Sequence, residues 1–317
     1  MKQDYSLIRL AEISKRVKDI PQLKDNSLCI YTTGSYGRLE ASKNSDLDLF
    51  FLDSDEHQIT NNIDKTLINA DVIKICRTMD LPEFSKDGGY LTIHNINDIK
   101  DKLGSPSDDY HNYFTARMLL LLESKPIYNE DLHINCLKHV IKAYYGDFHD
   151  HSQSFKPIFL TNDIIRFWKT LCLNYEHRRK RKAGEVDDTS KIVTHSKNLK
   201  LQFSRKLTCF SFILQLASFK GTINENDVLD IALLTPIERI EKLKNNNPEV
   251  EHLVQKIIDS YNWFLDRTQI PSEEMLMWIS DKTLRNEAFN KSSEFGDTLL
   301  ELLQAVDNQE IMKKLLI

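Results

Sequence analysis

The residues able to do chemistry are concentrated in one stretch, Thr-Gly-Ser-Tyr-Gly-Arg-Leu-Glu-Ala-Ser-Lys-Asn-Ser-Asp-Leu-Asp-Leu-Phe-Phe-Leu, spanning 33–52. Gly34 and Gly37 follow a short apolar run, where a missing Cβ lets the backbone approach a bulky phosphate and turn N–H groups toward it. Ser35 adds a hydroxyl donor. Arg38 offers a planar fork and Lys43 a point charge in the same loop, although Arg38 and Glu40 also read as a solvated ion pair. Asp46 and Asp48 alternate with Leu47 and Leu49, so on a strand both carboxylates share one face while the leucines enter the core. Such a pair of hard oxygens suits Mg²⁺ or Mn²⁺, which takes one or two carboxylates and fills its shell with water and phosphate oxygens. Two acids so placed repel each other unless a cation lies between them, and folding alone supplies no reason to put them there.

A nucleoside triphosphate bound at these residues would have its charge neutralised by the ion and its α-phosphorus opened to attack by a hydroxyl. The expected reaction is transfer of a nucleoside monophosphate from an NTP, ATP or UTP, with pyrophosphate released. A protein, a tRNA end or another nucleotide would each serve as acceptor, and nothing in the stretch selects among them. The motif resembles the signature of the DNA polymerase β-like nucleotidyltransferase superfamily, in which Gly-Ser precedes Asp-x-Asp at about this distance. Within it, Gly-Ser-Tyr-Gly-Arg-x-Glu followed by Ser-Asp-Leu-Asp-Leu most resembles the PII-uridylyltransferase-like bacterial nucleotidyltransferases. The likeness is strong over 28–52 and weaker through Phe114–Glu123 and Asp163–Trp168. It implies that Gly34 and Ser35 bind the triphosphate and that Asp46 and Asp48 are the catalytic metal ligands.

That superfamily usually adds a third carboxylate from a later strand. Here the expected strand, Tyr90–Ile96, has Thr92 at the place where an acid is anticipated; Asp87 and Asp98 flank it, and Asp71 is available only if its segment is extended. A catalytically weak nucleotide-binding regulator is therefore the alternative to an active enzyme.

The elements that must carry these groups follow from periodicity. Helical spacing over Tyr5–Ile20 ends at Pro21; Ser27–Thr33 and Leu47–Leu52 are short apolar runs that read as buried strands; helical spacing returns over His57–Leu81. Beyond about residue 110 helical stripes dominate: Phe114–Glu123, Asp163–Arg181, Lys197–Phe219, Glu249–Leu265 and Asp297–Val306. The expected fold is α/β + α, a small mixed β-sheet nucleotidyltransferase domain at 1–125 followed by a helical domain at 126–317 that closes a nucleotide cleft. Glu185–Ser196, short of large apolar side chains, is expected to be a mobile loop.

Composition sets outer limits. With 41% apolar and 28% charged residues the chain is an ordinary globular sequence. Its N-terminus lacks a signal-peptide core and no stretch reaches the roughly 18–20 uncharged residues of a membrane span, so a cytoplasmic protein with no membrane partner is expected. Cys29, Cys76, Cys136, Cys172 and Cys209 show no chelating spacing and read as reduced core residues. The net charge is −5, yet 177–206 holds ten Lys or Arg against three acids, a local +7 that leaves −12 for the remainder. That segment is the candidate for RNA contact, and an RNA-binding module is a further alternative.

Overall fold

The computed structural model describes residues 2–23, 28–54, 62–84, 91–150, 152–182, 188–307 and 310–314. The first part runs α1 (Lys2–Val17), β1 (Leu28–Thr33), α2 (Gly34–Gly37), β2 (Asp48–Asp53), α3 (Asn62–Thr78), β3 (Ile93–Asn95), α4 (Ile96–Asp101), α5 (Pro106–Tyr110), α6 (Tyr113–Glu123), β4 (Lys125–Tyr128) and α7 (Glu130–Ala143). Helices then follow: α8 (Ile158–Lys182), α9 (Asp188–Lys200), α10 (Lys206–Ser218), α11 (Glu225–Leu233), α12 (Pro236–Asn246), α13 (Glu251–Thr268), α14 (Ser272–Ser280), α15 (Lys282–Val306) and α16 (Glu310–Lys314). The fold is thus a small mixed four-stranded sheet with N-terminal helices, followed by a largely helical region, as periodicity suggests.

The sheet order is β3-β2-β1-β4. β1 is antiparallel to β2 and β4, whereas β2 and β3, joined through α3, are parallel. In the β1–β2 register Ile30 pairs with Phe51 and Thr33 with Asp48. The pleat therefore sends Leu28, Ile30, Leu49 and Phe51 to one face, where they form a core with Leu10, Ile13 and Val17 of α1 and Ile68, Val72 and Cys76 of α3. Tyr31 and Phe50 occupy the opposite face, stacked with centroids 5.6 Å apart, and His133 of α7 lies against Tyr31.

Two compact units emerge, but their boundary differs from the expected 125/126. The first comprises Met1–Phe148 with Glu225–Thr235, the second His149–Asn224 with Pro236–Ile317. The reason is β4: it pairs with β1 through Tyr31↔Pro126 and Thr32↔Lys125, α7 packs on it, and α11 packs on α7 in the same unit. Pro126 follows the end of α6 and enters a strand, a place proline tolerates because β4 is at the sheet's edge. The expected loop at Glu185–Ser196 is also corrected, since α9 is helical from Asp188; residues 183–187 lie outside the described ones. α9 packs on α14, with Ser196 touching Met275 Sδ at 3.5 Å, and this tertiary contact supplies the apolar partner its own sequence barely advertises.

In the second unit a single π turn, Leu201–Arg205, joins α9 to α10. Its Phe203 is fully buried, stacked on Phe264 at 4.8 Å and tilted against Phe295 at 4.9 Å. Among the described residues no helix is long and apolar enough to cross a membrane. All five cysteines are free; four are buried and Cys172 is half-buried. Burial pushes the Cys76 and Cys136 thiols up to about 12.

Candidate functional site

The chain leaves β1 at Thr33 and turns at once through Gly34, whose φ of +66° lies in the left-handed region. A Cβ built on Gly34 would lie 2.8 Å from Asp48 Oδ2, so this glycine is needed both for backbone direction and for the room the carboxylate occupies. Asp48 opens β2 half-buried. Its carbonyl accepts a hydrogen bond from the buried Thr32 hydroxyl at 2.9 Å, and its backbone pairs with Thr33. The Gly-Ser turn and the second aspartate of Asp-x-Asp are therefore brought together by the β1–β2 register itself.

Leu47 and Leu49 are buried, as the alternation requires. Asp46 is different. β2 begins at Asp48, one residue later than expected, so Asp46 precedes the strand, exposed in the loop, and the pleat does not fix its direction. That loop is short and internally braced: Ser42 N–H donates to Ser45 Oγ, Ser45 N–H to the Ser42 carbonyl, and Ala41 N–H to Ser6 Oγ of α1. Lys43 is exposed on it and Ser35 is half-buried.

Two of the expected phosphate contacts take other roles. Gly37 is closed off by protein: a Cβ there would collide with the backbone carbonyl of Glu123 and lie 3.0 Å from the Thr32 carbonyl oxygen. Its lack of a side chain serves the close approach of two backbones, not of a ligand. Arg38 turns inward, its Nε–H donating to Glu40 Oε2 at 2.8 Å and Nη1–H to Glu123 Oε2 at 2.5 Å. The expected Arg38–Glu40 pair exists, but it is buried, and a third partner joins it from 85 residues away.

No third carboxylate gathers here among the described residues, nor any group of three His, Cys, Asp or Glu side chains able to hold a metal. β3 is shorter than expected and pairs Ile93 with Phe51, which leaves Thr92 just before it, at the level of Phe50. Asp98 lies in α4 beside His94 and Tyr113, Asp71 is within helical α3, and Asp87 falls outside the described residues.

The basic segment at 177–206 is only partly a free surface. Arg178 and Lys180 are exposed on the last turns of α8, but Arg179 pairs with Glu176 at 2.7 Å. Lys191, Lys197, Lys200 and Arg205 each have partners within the chain. Lys206 is folded over the Trp168 ring at 5.9 Å, where burial lowers its ammonium pKa.

Two supporting residues escaped the sequence reading. Thr32 looks like any strand residue, so its bond to Asp48 has no sequence signal. Glu123 does have one, as the only acid in the apolar run Phe114–Glu123, which marks it as a buried charge needing a cation.

No family model and no curated protein matches this chain.

Proposed function

We propose that this chain is a nucleotidyltransferase, which moves a nucleoside monophosphate from a nucleoside triphosphate to an acceptor hydroxyl or phosphate. The observation that carries the proposal is the abutment of Gly34 and Asp48, with a carboxylate oxygen 2.8 Å from where a Cβ at 34 would lie. The donor set fits a magnesium or manganese ion: Asp48 is anchored, Asp46 is two residues away on a solvent-facing loop, and phosphate and water oxygens would complete the shell. When bound, that ion neutralises the phosphates. Ser35 donates its hydroxyl to a phosphate oxygen, the bare Gly34 backbone lets the triphosphate approach Asp48, and Lys43 adds a mobile positive charge at the loop.

Incubation of the protein with α-labelled ATP or UTP, Mg²⁺ and candidate acceptors (protein, tRNA or nucleotide) tests the reading through labelled product and pyrophosphate. Product formation lost in Asp48→Asn supports it; equal labelling by Asp46→Ala/Asp48→Ala eliminates it. The lack of a third acid cluster among the described residues favours a second reading, a nucleotide-binding regulator with little turnover. Calorimetric NTP binding without pyrophosphate release would select that one.

A further inference from the structure

Arg38, Glu40 and Glu123 are a buried cation and two buried anions, their side chains 7%, 7% and 0% exposed. Glu123 ends α6, and Ser124 alone separates it from β4, which pairs along the far edge of β1. The guanidinium therefore fastens the chain just past the Gly34–Gly37 turn to an element on the other side of that strand. Gly37, lying against the Glu123 carbonyl, closes the same junction from the backbone side. Inside the turn, Arg38 N–H donates to the Gly34 carbonyl at 3.0 Å and Glu40 N–H to the Ser35 carbonyl at 2.8 Å. A trans peptide is planar with its C=O and N–H opposed, so holding these two carbonyls also sets the directions of the Ser35 and Tyr36 N–H groups. Across the strand pair, Thr32 holds Asp48 by its carbonyl.

Resting on the nucleotidyl-transfer reading above, we infer that Arg38, Glu40 and Glu123 form a clasp that positions the Gly34–Ser35 turn against Asp48. Arg38 and Glu123 are thus positioning residues and not phosphate ligands. The rigid planar fork of arginine suits this task, because it fixes two carboxylates at a set angle where a lysine would pivot. Misplacing reacting groups by about 1 Å costs up to ~100-fold in rate, so a device that only orients a turn has a large effect on turnover.

The test uses the full chain. Glu123→Gln keeps size and one acceptor oxygen while removing the charge. Its folded fraction should show kcat for pyrophosphate release ~10–100-fold lower, with KM for the nucleotide changed less than about threefold. Arg38→Met/Glu40→Leu/Glu123→Leu replaces the ionic group with apolar side chains, which commonly restores or raises stability. This variant should melt near the wild-type temperature and remain as slow as Glu123→Gln. If either variant melts normally and turns over at the wild-type rate, the clasp only holds the fold together and the inference is overturned.

A wild-type protein that turns over no nucleotide would defeat the functional reading alone. The clasp is then judged by amide hydrogen exchange at Arg38 and Glu40. At least tenfold faster exchange in Glu123→Gln, with Ile13 of α1 unchanged, supports it; unchanged exchange at Arg38 and Glu40 refutes it.

Discussion

Replacing Gly34 with alanine separates backbone strain from crowding at the site. An L residue held at φ near +66° costs about 1–2 kcal/mol relative to a relaxed conformation. The added methyl also meets Asp48 Oδ2 at 2.8 Å, closer than real Cβ contacts come. Since that oxygen ends a flexible side chain, Asp48 rotates aside and loses its preferred rotamer, a further ~0.5–1.5 kcal/mol. The total, roughly 1.5–3.5 kcal/mol, should lower the melting temperature of the first unit by roughly 3–14 °C. Circular-dichroism melts of wild type, Gly34→Ala, Asp48→Ala and the double variant complete a thermodynamic cycle. Without the carboxylate only the backbone part remains, so Gly34→Ala should cost about 0.5–1.5 kcal/mol less in the Asp48→Ala background. If the alanine costs the same in both backgrounds, Asp48 does not lie against Gly34 and the site loses its basis. In calorimetry, Gly34→Ala should also weaken magnesium-nucleotide binding by at least about tenfold, since the displaced carboxylate is the proposed ligand.

Asp48→Asn should abolish magnesium-dependent nucleotide binding, whereas Asp46→Asn, on an exposed loop, should weaken it less; calorimetry giving the reverse order would relocate the metal. Arg117 and Asp108 are fully buried and joined by two hydrogen bonds of 2.9 and 2.6 Å, so Asp108→Ala strands a guanidinium and should destabilise the first unit by about 3–5 kcal/mol in urea titrations. Burial first, then Lys125, lowers the His133 pKa to about 4, below the ~6.5 of an unfolded histidine. The unfolded chain therefore takes up this proton first as pH falls, so the stability contribution is full above about pH 6.5 and shrinks down to about pH 4, by ~3 kcal/mol in all. His133→Gln should flatten the pH dependence of denaturation across that window; an unchanged slope would rule His133 out as its source.

Local patterning was enough to show that β1 and β2 are strands and that Leu47 and Leu49 are core residues, because short apolar runs between turn formers have few other ways to hide from water. It also picked out Gly34 and Asp48, whose meeting requires only that two neighbouring strands pair. Helical stripes in the second half were legible for the same reason, but not all their limits: α15 begins 15 residues before the expected Asp297, and the expected helix Lys197–Phe219 is the end of α9, the π turn and α10.

What local pattern did not carry was every outcome set by a partner distant in sequence. Arg38 has the chemistry of a phosphate ligand, and only the arrival of Glu123 at the end of α6 turns it into a buried structural cation. Gly37 reads as room for a ligand until the same Glu123 carbonyl fills that room. Pro126 is by type a residue that interrupts regular structure, and its strand role depends on β1 offering an edge. α9 reads as a loop until α14 covers it. Residue type decided which interactions each group is able to make; tertiary structure decided which it makes, because buried charges and close-packed backbones take whichever partner the fold delivers.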